Sequence, residues 1–364
     1  MPPRAPHSRG RGGPGPVRAL HYDDGALWAI DQTRLPWHET ELELRSAEEV
    51  AEAIRRLAIR GAPLIGVAAG YGVALELARD PDGLERACAT LIDARPTAVN
   101  LAHAVERVRA AVAAAAGQAD PAAIALAQAR MIYAEEEEAS DALARFGAGY
   151  LAGHKRILTH CNTGALAAPG RGTGLAVIAE LADRGELELV IATESRPLLQ
   201  GARLTVWELR RLGIPHELIV DGAAAGLLAS GAVDAVVVGC DRVAANGDVA
   251  NKVGTYAHAL AAAAAGIPFV VAGPTSTIDP SCPSGAQIAL EQRSEDEVRS
   301  VRSGPAGEPH ELTVAGTRCR NPAFDVTPAA LVTALVTERG VAEPAAGGWV
   351  IALKAITLGG ENAG

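Results

Sequence analysis

A thiol and a carboxyl occupy matching places in this chain. Cys161 follows the apolar run of "RILTH", and Asp241, with Cys240 before it, follows "AVVVG". Both groups can pass protons near neutral pH when their surroundings shift their pKa values. Each also has a plain structural reading. Cys161 can be a small buried hydrophobe in a turn of Asn162, Thr163 and Gly164. Asp241 can cap a helix or pair with Arg242. Company favours chemistry at the second place, because "GCDRVAANGDVANK" brings Asn246, Gly247, Asp248, Asn251 and Lys252 close behind. A lysine and amide donors near the next helix entrance can clamp a phosphate.

Two arginines stand earlier. Arg60 closes a helical stretch in "AIRGAP", with Gly61 and Ala62 after it, and Arg95 precedes Pro96 in "DARPTAVN". Either can answer a helix dipole or fork onto a phosphate. His160, Cys161, Cys240 and Asp241 lack the paired spacing of zinc ligands, so no metal is expected. Gly170, Gly172 and Gly174 have GxGxG spacing and come too far past the strand for a dinucleotide turn. No organic cofactor is expected there.

The bulk composition narrows the partners. Of 364 residues 49% are hydrophobic and only 3% aromatic, which supports a large core packed through small side chains. A net charge of -10 excludes a nucleic-acid surface, while a few local donors still suffice for an anionic small molecule. The five cysteines are scattered, odd in number and without a CxxC pair, as expected in a reducing cytoplasm. "MPPRAPHSRGRGGPGPVR" carries charge with no apolar run behind it and reads as a disordered tail. Gly266 and Pro268 interrupt the longest apolar stretch, so no membrane span is expected.

The elements that must position these groups are of two kinds. "HYDDGALWAIDQTRLP" and "HETELELR" read as short strands. Ser46 followed by Glu49 forms a capping box, and helices are expected over about 47–59, stopping at Gly61 and Pro63, then over 64–78, 83–94, 98–116 and from Pro121 through "EEEEASDALARF". The four glutamates there read as a solvated face. From Lys155 onward, "RILTH", "LELVIAT", "HELIV", "AVVVG" and "PFVVAG" alternate with helical patterns near 173–184, 200–212, 222–229 and 252–265. That alternation predicts βαβ units with a parallel sheet, whose ligands bind beyond the carboxyl ends of the strands.

Taken in order, "IRGAPLIGVAAGYG", "RPTAVNL", "LTHCNTGALA", "GTGLAVI", "ATESRPLLQGARLTVWEL", "VDGAAAGLL", "VGCDRVAANGDVANKVGTY" and "NPAFDVTP" resemble the methylthioribose-1-phosphate isomerases. These form the aldose–ketose isomerase branch of a superfamily shared with regulatory subunits of a eukaryotic initiation-factor exchange complex. The resemblance implies an α/β chain: a Rossmann-like C-terminal domain over 131–364, and a smaller, mostly helical domain with a short β-sheet over 18–130, behind a tail at 1–17. It further implies a homodimer and a sugar-phosphate substrate, with isomerisation in methionine salvage. By motif position, the catalytic residues fall on Cys161 and Asp241. Substrate contacts fall on Arg60, Gly61, Ala62, Arg95, Gln200, Asn251 and Lys252. Ala102 and His103 stand where bulkier aromatics are usual in the family, and are expected to reshape the pocket around the substituent at C5. Isomerisation of 5-deoxyribose 1-phosphate or ribose 1,5-bisphosphate, or non-catalytic binding of a sugar phosphate, are the competing readings.

Overall fold

The computed structural model describes residues 17–115, 117, 119–344 and 348–357, so the tail expected at 1–17 lies, but for Val17, outside them. Leu20–Asp23 (β1), Ala26–Ile30 (β2) and Glu41–Leu44 (β3) form an antiparallel meander. Five helices follow: Ala47–Arg55 (α1), Ala62–Arg79 (α2), Leu84–Ala94 (α3), Val99–Ala114 (α4) and Pro121–Tyr150 (α5). Ser46 caps α1 by accepting from the Glu49 N–H, while the Glu49 carboxylate reaches back to the Arg45 N–H.

Small residues explain how these helices pack. Helix α2 is buried along almost its whole length, and Gly66, Gly70 and Gly72 let α4, α5 and α3 approach closely. One apolar cluster gathers β1–β3, α1–α4 and the first half of α5, through Ile132; Leu143, Ala148 and Leu151 at the far end of α5 join another. A single long helix thus ties two cores together.

The second half of the chain alternates as the sequence predicts. Its elements are Arg156–Thr159 (β4), Gly174–Asp183 (α6), Leu189–Thr193 (β5), Val206–Arg211 (α7), His216–Ile219 (β6), Ala224–Ala229 (α8) and Ala235–Val238 (β7). Arg242–Ala244 (β8), Val249–Lys252 (β9), Thr255–Ala265 (α9), Phe269–Ala272 (β10) and Ile278–Asp279 (β11) follow. Last come Asp296–Arg299 (α10), Ser300–Ser303 (β12), Glu308–Glu311 (β13), Phe324–Thr327 (β14), Ala334–Thr337 (β15), Gly340–Ala342 (β16) and Gly348–Thr357 (α11). Helix α7 is shorter than the 200–212 expected, because a π-type turn over Gly201–Thr205 precedes it.

The main sheet has the order β16-β15-β10-β7-β4-β5-β6, parallel throughout except for the β15–β16 hairpin. Taken in chain order, its six parallel strands run sixth, fifth, fourth, first, second, third, which is the Rossmann arrangement. The order reverses between β4 and β7, where Ile157 pairs with Ala235 and Thr159 with Val237. Connections leave these neighbours toward opposite sides, so a crevice opens beyond their carboxyl ends. Cys161 follows β4 and Asp241 follows β7.

A smaller sheet, β11-β8-β9-β14, stands beyond the crevice and corrects one expectation. Asn251 and Lys252 do not open a helix. They end strand β9, with Lys252 opposite Phe324 and Asn251 opposite Asp325 of β14. Among the described residues, no helix is long and apolar enough to cross a membrane.

Candidate active site

The nine residues that the resemblance marks as catalytic or substrate-binding all line one cleft at the strand-order reversal. Cys161 turns the chain there with φ 63°, a left-handed conformation uncommon for a side-chain-bearing residue. The turn is held from both sides. The Cys161 N–H donates to Ser195 Oγ at 2.8 Å, and its carbonyl accepts from Thr205 Oγ1 at 2.6 Å. Ser195 and Leu199 are also left-handed, so three such residues sit around this crevice. Backbone strain of this kind concentrates at functional sites.

Behind Cys161, His160 is fully buried, with Nε2 facing the Val253 carbonyl at 2.9 Å and Nδ1 facing Thr193 Oγ1 at 2.6 Å. The ring of His258 meets it edge-on, 4.6 Å between centroids. Burial first, and His258 second, push the His160 pKa down to about 3, so the imidazole stays neutral.

Asp241 retains some solvent contact through the cleft, yet protein surrounds it closely. Desolvation therefore pushes its carboxyl above the usual range, against the pull of Lys252, Arg95 and Arg60. Cys240, the other thiol at a strand end, serves a different purpose. Its Sγ faces Thr277 Oγ1 at 3.3 Å, and burial drives its pKa up to about 12, so it stays an inert thiol.

The cationic side of the cleft is built from both cores. Arg60 precedes α2 and forks onto Asn162, donating to Oδ1 at 2.7 Å and to the main-chain carbonyl at 2.9 Å. Gly61 makes this approach possible: its φ is 97°, and a Cβ there would lie 2.3 Å from the Ala167 carbonyl oxygen. Arg95 pairs with Glu291, which also accepts from Arg293 Nη1 at 2.9 Å. Lys252 is buried, donates to the Ala323 carbonyl at 2.8 Å and lies over the Phe324 ring. Burial lowers its pKa, while Cys161 and Asp241 oppose that shift, so one ammonium feels both the thiol and the carboxyl. Asn251 donates to Thr255 Oγ1 at 3.0 Å. Gln200 is buried, and its Oε1 has no partner among the described residues, an acceptor left open beside the cleft.

Three expectations need correcting. Asn246, Gly247 and Asp248 form the β8–β9 turn, where Asp248 holds the Gly285 and Ala329 N–H groups; they do not line the cleft. Ala102 does not reach the cleft, and His103 lines a second cavity of ≈ 700 Å³, because their helix α4 presents that face to α5. The "EEEE" run is not wholly solvated, for Glu136 also faces the second cavity and is half-buried there.

The cleft now has a composition: an acid, a thiol, a buried ammonium and two guanidinium groups, with amide groups between them. The description of the Initiation factor 2 subunit family matches residues 58–344. The chain belongs to that family. Within it, a methylthioribose-1-phosphate isomerase of Anaeromyxobacter sp. (strain K) is 51% identical over 330 residues, covering 90% of this chain and 94% of the other. A 5-deoxyribose 1-phosphate isomerase of Moorella thermoacetica is 47% identical over 340 residues, covering 90% and 95%. The crystal structure of 5-methylthioribose 1-phosphate isomerase from Pyrococcus horikoshii OT3 superimposes with a TM-score of 0.85 at 38% identity, covering 95% of this chain and 97% of that one.

For this member of the Initiation factor 2 subunit family, sequence reasoning overlooked two acids. Glu291, in "ALEQR", holds Arg95 and Arg293 and gave no sign beyond its charge. Glu208 is fully buried and accepts from Asn162 Nδ2 at 2.7 Å and from the Ala165 N–H at 2.8 Å. Its signal was available: it stands one turn after Leu204 and Thr205, on the inward side of α7.

Proposed function

We propose that this chain isomerises 5-methylthioribose 1-phosphate to 5-methylthioribulose 1-phosphate, an aldose–ketose conversion of methionine salvage. The carrying observation is that Cys161 and Asp241, from two adjacent strands, share one cleft with Arg60, Arg95, Asn251 and Lys252. The similarity to isomerases that bear this substrate in their names supports the same reading.

The chemistry follows from the substrate. Phosphate on the anomeric oxygen prevents ordinary opening to a free aldehyde. The C1–ring oxygen bond must break while C1 keeps its phosphate, leaving oxocarbenium-like character at C1. Asp241, whose carboxyl burial pushes toward its acid form, gives its proton to the departing ring oxygen. It then takes the proton of the C2 hydroxyl as that carbon becomes the ketone. Hydrogen passes from C2 to C1 as a hydride, with Cys161 stabilising the transition state, or as a proton that Cys161 relays. Retention of a C2 deuterium in the product favours hydride shift; complete washout excludes it. Arg60, Arg95, Asn251 and Lys252 grip the phosphate and orient C1, and the open Gln200 oxygen suits a sugar hydroxyl.

Leu57, Pro63 and Leu198 give the cleft apolar wall, and Arg293 is occupied by Glu291 and Glu297. That favours methylthio or methyl at C5 over a second phosphate. An apolar pocket rejects the smaller methyl only weakly, so 5-deoxyribose 1-phosphate is a second substrate, in line with the Moorella relative. The same reading includes a homodimer, a cytoplasmic location and two domains, 18–130 and 131–364, joined through α5.

Direct assay on the three sugar phosphates tests it, with Cys161→Ser and Asp241→Asn alongside. Each substitution is expected to cost about 10²–10⁴ in kcat. Turnover indifferent to both would reject the site, and no turnover on any of the sugars would favour non-catalytic binding.

A further inference from the structure

Glu208 is fully buried on α7, and every group that hydrogen-bonds it is a donor: Asn162 Nδ2, the Ala165 N–H and the Leu166 N–H. Burial pushes the Glu208 carboxyl above its usual range, while these three donors and nearby Arg60 oppose that shift and favour the carboxylate, which accepts from all of them. The backbone of Gly164 lies so close that a Cβ there would sit 2.4 Å from a Glu208 oxygen. Asn162 has one donor face and one acceptor face. Its Nδ2 points to Glu208 and Thr205 Oγ1, which leaves Oδ1 to meet Arg60. The Asn162 main-chain carbonyl meets the second Arg60 nitrogen.

We propose that Glu208 is a positioning residue for Arg60, fixing the Asn162 amide so that its oxygen, and not its nitrogen, faces the guanidinium. Glu208 and Arg60 do not hydrogen-bond each other directly; the amide between them carries the polarity of one to the other. Arg60 thereby has two nitrogens held from behind and its remaining donors free for the anion in the cleft. The inference rests on the reading that Arg60 grips the substrate phosphate.

Glu208→Gln is nearly isosteric and discriminates well. A glutamine offers one oxygen where the Asn162 amide and two backbone N–H groups converge. Asn162 can then relax by rotating its amide, which sets a donor against the Arg60 donors. Hydrogen bonds to charged groups of this type correspond to about tenfold to a hundredfold in affinity. The Kd for inorganic phosphate, measured by calorimetry, is expected to rise by that factor in Glu208→Gln. KM for methylthioribose 1-phosphate should rise with it, and kcat should fall by less.

In an Arg60→Ala background, adding Glu208→Gln should change the phosphate Kd by no more than about twofold, because coupled residues are not additive. An unchanged Kd in the single variant, or an equal loss in both backgrounds, overturns the proposal. Should Glu208→Gln not fold, Asn162→Ala removes the intermediary instead, with the same rise expected and an unchanged Kd equally fatal. Phosphate binding needs no turnover. Failure of the isomerase assay would therefore sink the function while the Kd series still decides the relay.

Discussion

At the scale of single residues, the cleft is expensive for the fold. Asp241 lies where its charge is poorly solvated, and the native state holds its proton more tightly than the unfolded chain does. The sign is fixed by that direction. Below about pH 4 both states are protonated and nothing is lost. As pH rises from there toward the raised native pKa, the unfolded chain has released its proton and the native state has not, so stability declines. Asp241→Asn removes the group from this balance. It is expected to be poorly active yet at least as stable as the parent, with a Tm gain that is absent at acid pH and grows toward neutrality. Thermal unfolding of both proteins across that range measures it; a Tm below the parent at pH 7 would contradict the assignment. Where Asp241 acts as the acid, ring opening also slows as pH climbs past its native pKa. Lys252 carries the mirror cost, since burial with Arg60 and Arg95 lowers its pKa.

At the scale of elements, placement depends on short loops with little conformational freedom. Gly61 both caps α2 and clears the Ala167 carbonyl. Gly61→Ala would force a left-handed alanine into a contact that cannot relax without moving α2 or the 164–168 loop. The backbone alone accounts for about 1–3 kcal/mol, which chemical denaturation would register, and the displaced Arg60 should raise KM as well. The same elements show what was legible beforehand. Pro121 announces the start of α5 and the Ser46 box announces α1, because those signals are local, whereas Pro63, which reads as a helix stop, lies in the first turn of α2. Strand β9 was not legible. "VANKVGTYAHALA" continues smoothly into a helical pattern, and the partner that makes Asn251 and Lys252 extended is β14, some seventy residues on. Glu208 was missed because its meaning lies in Asn162, on another strand's loop.

At the scale of the whole molecule, the decisive fact is strand order, which local periodicity does not contain. The alternation of runs predicted a parallel sheet, and the sheet is there; only the adjacency of β4 and β7 makes one cleft of two loops. The two cores also meet along α5, and there a second half-buried acid invites comparison with Asp241. Glu136 looks into the cavity that separates α2, α4 and α5 from Thr275 and Glu338, away from the cleft. Burial pushes its pKa up to about 7; Glu338 and Glu135 add to the rise and Arg107 opposes it, with His103, Glu138 and Arg339 in the same walls. Between an unfolded value of about 4.3 and that raised native one, the native state again keeps a proton the unfolded chain has shed. Stability therefore declines over this interval and levels off above it. Glu136→Gln is expected to raise Tm at pH 8, with the gain shrinking toward pH 4, while kcat/KM stays within about twofold of the parent because no cleft residue is touched. Thermal unfolding at the two pH values, with the isomerase assay beside it, separates the acids: one whose cost accompanies catalysis, and one whose cost can be removed without it. A fall in kcat/KM as large as that in Asp241→Asn would mean the two cavities communicate through α2, and that separation would be wrong.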